Sequence, residues 1–170
     1  KNIKIKSKNK IRLVKGSHII TKKLYKEDVA FTFQNTDKRI IFVIPYKKKF
    51  SLIGTTEVEV KSPENTVISK QETQYLIRSV NNYLKKQISK KDIVDTYSGI
   101  RPLIEDFKEA SKVTRDYVFD LNIVKKLPLL NIYGGKLTTY RKLSEKVLLD
   151  LKKFLPKTKK GPWTDKKKLF

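Results

Sequence analysis

Apolar residues fall in short segments along most of the chain, each rich in Val, Ile, Phe and Thr and separated by polar stretches such as NTDKR and KKK. Segments of this composition, bounded by polar turns, are typical of β-strands. They predict strands over residues 11–14, 29–34, 39–45, 50–60, 93–100, 114–121 and 127–133. We therefore expect an antiparallel meander in which consecutive strands are neighbours.

Two stretches have apolar residues at the spacing of three or four positions that an α-helix requires. Ser69 and Glu72 have the spacing of a capping box, and the apolar residues behind them predict a helix over about 69–86. A second amphipathic helix follows from Tyr140 to Phe154 and ends before Pro156. Because strands come in runs with few helices between them, the predicted fold class is α+β with a largely antiparallel sheet and a flanking helix.

The composition limits the chemistry that the chain can perform. It has no cysteine and one histidine in 170 residues, so zinc, iron–sulfur and disulfide sites lack ligands, and we predict no metal. No apolar run approaches the roughly 18 to 20 residues of a membrane span, which favours a cytoplasmic setting. The sequence contains no methionine and begins with lysine, so we expect it to start inside a longer chain.

The formal net charge of +23 indicates an attraction to anions such as nucleic acid, anionic lipid or phosphorylated small molecules. The lysines are dispersed over the whole chain, and this dispersion fits a compositional bias as well as it fits a binding stripe. A basic nucleic-acid-binding module is therefore an alternative, and charge alone does not favour it.

The segment GGKLTTYR follows a predicted strand and opens the second predicted helix. A glycine turn at Gly134 and Gly135 would let a flat or anionic ligand approach the backbone and the helix start near Lys136, which Thr138 or Thr139 could cap. The alternative is that both glycines only satisfy the geometry of the turn. No GxGxxG motif occurs, so the chain has no dinucleotide-binding fingerprint of its own.

Three cations and one histidine are the candidates for binding and catalysis. Arg101 in YSGIRPL, Arg115 in TRDY and Lys136 together could hold a dianion, because the guanidinium fork matches phosphate. Taken alone, each arginine fits a solvated or salt-bridged surface residue better than a ligand-binding one. His18 in KGSH, placed at the end of a predicted strand, would accept a proton near neutral pH, and its alternative is a structural or exposed side chain.

Six blocks taken in order resemble the FAD-dependent, respiratory-type glycerol-3-phosphate dehydrogenases: KGSHII, IFVIPY, FSLIGTTEVE, YSGIRPL, TRDYVFD and GGKLTTYRKL. The resemblance covers residues 11–163. It implies a substrate-binding cap over residues 1–112, the returning strand-turn-helix segment of an FAD-binding domain over 113–155, and a tail over 156–170 leading toward a missing domain. It also implies that the family's nucleotide-binding part and its C-terminal helical domain lie outside this sequence, so that full FAD binding and activity need the missing N-terminal part, supplied by a longer chain or a separate polypeptide.

The resemblance implies oxidation of sn-glycerol 3-phosphate to dihydroxyacetone phosphate by hydride transfer to FAD, with a quinone as electron acceptor at the cytoplasmic face of the inner membrane. His18 and Arg101 correspond to catalytic positions, and the base is one of these two. The resemblance implies that Arg101, Arg115 and Lys136 bind the substrate. It also implies that one continuous segment binds the flavin: Gly134, Gly135, Lys136, Leu137, Thr138 and Thr139.

The sequence departs from the family at three places. Glu57 stands where Asp is usual, the loop at residues 104–112 has lost much of an acidic, Ser-rich character, and the tail ends in KKKLF. These departures affect the expected pocket rim and the downstream domain. The alternative to an active flavoenzyme segment is a non-catalytic remnant of that enzyme.

Overall fold

The computed structural model describes residues 9–64, 66–105, 116–157, 161 and 163–168. Within these ranges the chain forms antiparallel strand pairs and few helices, which confirms the predicted α+β class. The strands are β1 Ile11–Lys22, β2 Phe31–Gln34, β3 Ile40–Tyr46, β4 Phe50–Gly54, β5 Val58–Val60, β6 Ile93–Ile104, β7 Tyr117–Val124 and β8 Leu127–Gly134. The helices are α1 Lys70–Asn81 and α2 Tyr140–Leu151, with 3₁₀ turns at Lys90–Asp92, Leu137–Thr139 and Lys152–Phe154.

The chain divides into two compact units. Among the described residues, the larger unit is Arg12–Pro102, and the smaller unit contains the residues outside that range. The functional assignment of residues 1–112, 113–155 and 156–170 stays a prediction. No helix in the described ranges is long and apolar enough to cross a membrane.

The larger unit is built on a sheet with the order β2-β3-β4-β1-β5, in which β6 also pairs with β1. The predicted meander is therefore wrong for β1, which pairs with β4 and β5 and not with β2. Side chains alternate across a strand, so each strand supplies one face to the core. In β3, Ile41 and Val43 are buried while Ile40, Phe42 and Ile44 are exposed. The buried face packs against α1, and the core combines strand and helix residues: Ile19, Ile41, Val43, Ile53, Leu76, Val80 and Ile88.

Helix α1 begins as the sequence predicts and ends earlier. Ser69 Oγ accepts a hydrogen bond from Glu72 N, and a Glu72 carboxylate oxygen accepts one from Ser69 N, which confirms the capping box. The helix ends at Asn81 and not near residue 86, because the Asn81 amide binds the chain that returns beyond the helix. It donates to Ile88 O and accepts from Ile88 N, and these bonds draw Ile88 into the core in place of another helical turn.

Several predicted strands differ from the observed ones, and β6 continues beyond its predicted end at residue 100 to Ile104. Strand β1 does not stop before Lys15 and continues to Lys22, paired with β5 at its start and with β4 at its end. Segment 50–60 is divided into β4 and β5, with Thr55, Thr56 and Glu57 between them. Thr56 leaves the ladder because its hydroxyl accepts from Ser17 N at 3.0 Å and its N–H donates to Ser17 O at 3.2 Å.

The smaller unit contains the β7–β8 hairpin and α2. The hairpin register runs from Tyr117 opposite Gly134 to Val124 opposite Leu127, with Lys125 and Lys126 as the turn. No residue of β7, β8 or α2, all of which the structure describes in full, is fully buried. Predicted strand 114–121 is observed as β7, although its first two positions lie outside the described residues.

Candidate active site

His18 lies in the middle of β1, in the larger unit, and not in a turn at a strand end as expected. Its cross-strand partner is Gly54 of β4. A Cβ atom added at Gly54 would lie 2.0 Å from His18 Cδ2, so the imidazole occupies the space that a side chain would need there. The ring centroid lies 5.8 Å from that of Tyr97 on β6. Gly54 therefore provides the space in which the His18 imidazole rests.

The surroundings of His18 favour its neutral form. Burial lowers its pKa below the ordinary value of 6.5, and the positive charge of Arg101 lowers it further, while a backbone hydrogen bond with Tyr97 acts in the opposite direction. His18 Nδ1 is buried and has no hydrogen-bond partner among the described residues. At neutral pH the imidazole is therefore mainly unprotonated and able to accept a proton.

Arg101 of β6 is held beside the same part of β1. Its Nη2 donates to Thr55 Oγ1 at 3.1 Å. A Cβ atom added at Gly16 would lie 2.5 Å from both Nη1 and Nη2, so the guanidinium rests against the Gly16 backbone. Gly16 thus leaves space for Arg101, and Gly54 leaves space for His18. Neither Gly16 nor Gly54 is recognisable from the local sequence as a residue of the site, because each leaves space for a side chain that is distant along the chain.

A buried ion pair lies on the opposite face of the sheet, between β1 and α1. Lys15 Nζ is 3.0 Å from Glu72 Oε2, and each side chain is only 5% exposed. Lys15 Nζ also donates to Val67 O at 2.7 Å, ahead of the helix. The local sequence indicates Glu72 only as a helix cap, because its partner Lys15 is far away along the chain.

Two hydroxyl groups complete this network. Glu72 Oε1 accepts from Ser17 Oγ at 2.8 Å and from Thr56 Oγ1 at 2.7 Å. Ser98 Oγ donates to Ser17 Oγ at 2.8 Å, which links β6 to the same group. Burial opposes the charge of Glu72, but the hydrogen bonds from the Ser69 backbone, Thr56, Lys15 and Ser17 outweigh it and lower the pKa of Glu72 to about 2.

The predicted flavin-binding turn lies in the smaller unit. Gly134 and Gly135 have φ values of 71° and 104°, in the left-handed region that glycine tolerates. A Cβ atom at Gly134 would lie 2.8 Å from Asp116 O, and one at Gly135 would lie 3.3 Å from Leu143 Cδ1. Turn geometry and packing therefore explain both glycines, and a direct flavin contact stays a prediction.

The helix after this turn begins where the apolar spacing predicts, and not at the position that the glycine turn suggests. A 3₁₀ turn at Leu137–Thr139 precedes α2, which begins at Tyr140 and not near Lys136. Thr139 occupies the position before the helix without capping it, and the expectation of a Thr139 cap is wrong. Its ψ of 6° is not extended as a cap requires, and its hydroxyl donates to Lys136 O at 3.0 Å. Thr138 does not precede α2 directly and is exposed.

The structure thus brings His18 and Arg101 together within the larger unit. Lys136 and the segment from Gly134 to Thr139 belong to the smaller unit, and Arg115 lies outside the described residues. Lys136 and Leu137 are exposed, Leu137 to 89%. No group of three or more His, Cys, Asp or Glu side chains that could hold a metal occurs in the described ranges.

Residues 2–141 match the family model DAO, the FAD dependent oxidoreductases, and the chain belongs to this family. Its relatives include the aerobic glycerol-3-phosphate dehydrogenase of Escherichia coli (strain K12), 50% identical over 141 residues, which are 81% of this chain and 28% of the relative. The D-erythritol 1-phosphate dehydrogenase of Brucella abortus (strain 2308) is 44% identical over 160 residues, 93% of this chain and 32% of the relative.

A solved structure of the glycerol-3-phosphate dehydrogenase from Bacillus halodurans, complexed with FAD, has the same fold. It matches with a TM-score of 0.65 at 24% identity over 86% of this chain and 27% of that chain. The resemblance indicated by the six sequence blocks is confirmed by these comparisons. The chain spans less than one third of the length of each of these relatives.

Proposed function

We propose that this chain is part of a flavoenzyme that oxidises sn-glycerol 3-phosphate at C2 to dihydroxyacetone phosphate. The observation that carries the proposal is the pairing of His18 with Arg101, in which each side chain rests in space left by a glycine of a neighbouring strand. A proton acceptor beside a fixed cation suits oxidation of an alcohol, because the base takes the hydroxyl proton and the cation stabilises the charge that develops on the oxygen. The names of the relatives support a polyol phosphate as substrate.

His18 acts as the base in this proposal. Its lowered pKa keeps the imidazole neutral at pH 7, so that it can take the proton of the C2 hydroxyl group. Arg101, held by Thr55, stabilises the negative charge that develops on the C2 oxygen. The same guanidinium then disfavours the protonated imidazole, which promotes return of the proton to solvent after each turnover.

FAD, when bound, supplies the acceptor for the hydride that leaves C2. The residues proposed to hold it are accessible to a flat cofactor, because Gly134, Gly135 and Lys136 are exposed and Leu137 exposes its apolar side chain. Thr138, which is exposed, and Thr139, which is half-buried, follow in the same segment. These residues orient the cofactor and exclude water from one side of it.

The phosphate of the substrate is assigned to Arg115 and Lys136. A phosphate monoester carries nearly two negative charges, and an arginine fork together with an ammonium group matches that charge. Electron transfer to a quinone is part of the proposal, with the protein attached peripherally to the cytoplasmic face of the inner membrane. The net charge of +23 supports attraction to an anionic membrane surface.

The proposal is tested by flavin spectroscopy on the full chain. The purified chain is mixed with FAD, separated from unbound flavin and titrated without oxygen with sn-glycerol 3-phosphate and, separately, with D-erythritol 1-phosphate. Retained flavin that loses its visible absorbance with sn-glycerol 3-phosphate supports the proposal, and reduction by the longer polyol phosphate alone reassigns the substrate. Retained flavin that neither compound reduces contradicts it.

The same preparation separates the two alternatives. A chain that retains no flavin even when the missing nucleotide-binding part is supplied as a separate polypeptide is a non-catalytic remnant of the enzyme. Binding of a polynucleotide that falls steeply with salt, together with no response to sn-glycerol 3-phosphate, identifies a basic nucleic-acid-binding module.

A further inference from the structure

The residues of the buried network alternate along the chain with the residues of the candidate site. Lys15 and Ser17 in β1 point toward α1, whereas Gly16 and His18 between and after them point to the opposite face. Thr56 is likewise next to Thr55, which accepts the Arg101 hydrogen bond. If Ser17 or Thr56 moves, the neighbouring residues Gly16, His18 and Thr55 on the side of the candidate site must therefore move as well.

The hydrogen bonds of Thr56 provide the connection. Thr56 Oγ1 accepts from Ser17 N and donates to Glu72 Oε1, and Thr56 is only 2% exposed. These bonds fix the backbone between β4 and β5, including Thr55. Thr55 Oγ1 is 3.1 Å from Arg101 Nη2, so the position of the guanidinium depends on a segment that Glu72 holds from behind.

Fold stability alone gives a weak reason for this ion pair. A buried pair must overcome the desolvation of two charges, and well-packed apolar side chains of similar volume stabilise many proteins at least as well. The pair does, however, impose one geometry, because both Glu72 oxygens have directed partners: Ser17, Thr56, Ser69 and Lys15. Such a network suits a place where the chain must be held in a single position.

We infer that Glu72, paired with Lys15, is a positioning residue that holds Arg101 and His18 in place through Thr56 and Ser17. The chemical meaning of this role rests on the proposed function, while its geometry does not. Glu72 approaches from α1, on the face away from the candidate site, so it acts only through its partners. Loss of the network lets the Arg101 guanidinium move away from His18 without emptying the apolar core.

His18 is the only histidine of the chain, so its imidazole is a reporter that needs no assignment. The groups that face it are Arg101 and Tyr97 from β6 and Gly54 from β4. The experiment is a pH titration of the imidazole by NMR on the full chain with labelled histidine, in the absence of flavin and substrate. Thr56→Val, which keeps the size and loses the hydroxyl group, is compared with Thr56→Ser, which keeps the hydroxyl group.

We expect the His18 pKa to shift upward toward its ordinary value in Thr56→Val and to stay unchanged in Thr56→Ser, because only the first releases Arg101. Identical titrations in both variants would overturn the inference. Glu72→Gln is compared in the same way with Val80→Ala, a core substitution in the same helix that leaves the network intact. An upward shift of the His18 pKa in Glu72→Gln alone supports the inference. Equal shifts of this pKa in Glu72→Gln and Val80→Ala would contradict it, because Glu72 would then act only through the stability of the fold.

Because no flavin or substrate takes part, the result is independent of the proposed function. If the chain fails to oxidise sn-glycerol 3-phosphate and still shows the predicted pKa shifts, the positioning network is supported and only the proposed reaction is contradicted. If the chain oxidises the substrate and the pKa shifts do not occur, the proposed reaction is supported and the positioning role of Glu72 is contradicted.

Discussion

The imidazole of His18 lies over Gly54, its partner across the β1–β4 ladder, and a Cβ atom at Gly54 would be 2.0 Å from His18 Cδ2. A histidine in the middle of a central strand requires such a space, because the neighbouring strand otherwise presents a side chain. Gly16 provides the corresponding space for the Arg101 guanidinium. The two candidate catalytic side chains therefore depend on two glycines that do not react.

Gly54→Ala is expected to displace the His18 ring and to lower the free energy of unfolding by about 1 to 3 kcal/mol, since the methyl group overpacks the site. NMR signals of the imidazole report the displacement, and urea unfolding reports the stability. Gly99→Ala is the matched control in β6, where an added Cβ meets only the Tyr97 hydroxyl at 3.7 Å. Equal effects of the two substitutions would show that the ring does not occupy this space.

The pKa of Glu72, about 2 against an ordinary value of 4.5, makes stability depend on pH. The unfolded chain takes up this proton first as the pH falls, so the contribution is present above about pH 4.5 and is lost as the pH falls toward 2. We expect the free energy of unfolding to decrease by at most about 3 kcal/mol over this range. Denaturant unfolding at several pH values measures the decrease.

Glu72→Gln is the control for this pH dependence, because the amide cannot titrate. The variant should be less stable at neutral pH, where Lys15 loses its partner, and its stability should fall less between pH 4.5 and 2. An unchanged slope in Glu72→Gln would mean that other carboxyl groups cause the acid sensitivity.

The β7–β8 hairpin carries two lysines where its turn favours glycine or asparagine. Lys125 and Lys126 have φ values of 48° and 70°, a combination required by type I′ turns. Lys126→Gly is expected to raise the free energy of unfolding by about 1 kcal/mol, because glycine adopts positive φ without a Cβ clash. Lys126→Ala retains the Cβ atom and should give no such gain in thermal or urea unfolding. Equal stability of the two variants would contradict a left-handed residue at this position.

Arg115 is assigned to the substrate phosphate by resemblance and by charge. Arg115→Ala should weaken binding of sn-glycerol 3-phosphate by about 2 to 4 kcal/mol, because a charge-assisted pair with a dianion is lost. Calorimetric titration of the FAD-supplemented chain measures the change. Arg141→Ala removes an arginine that pairs with Glu145 within α2 and should leave the affinity unchanged. Similar affinities in all three proteins would remove Arg115 from the binding site.

Local features of the fold could be predicted from the sequence. The capping box at Ser69 and Glu72 and the strand, glycine turn and helix around Gly134 depend on residues a few positions apart, and all are observed. The predicted length of α1 is too great, because the helix ends where the Asn81 side chain binds Ile88. The spacing of apolar residues does not reveal this hydrogen bond.

Features that depend on distant residues could not be predicted in this way. Strand β1 passes through Gly16 without a break, and Arg101 lies against that glycine from a strand more than 80 positions away. The pairing of Lys15 with Glu72 joins a strand and a helix that are separated by most of the sheet. The resemblance to the family supplied His18 and Arg101 as candidates, and it did not indicate the glycines and the ion pair that hold them.

The measurement that tests the central claim most directly is an NMR titration of the single histidine with sn-glycerol 3-phosphate, performed on the full FAD-supplemented chain. The account predicts a saturable change in the His18 imidazole signals that Arg101→Gln abolishes or strongly weakens, with inorganic sulfate as the control anion. Imidazole signals that stay unchanged at high substrate concentration, or that respond equally with Arg101→Gln, would contradict a substrate site at His18 and Arg101.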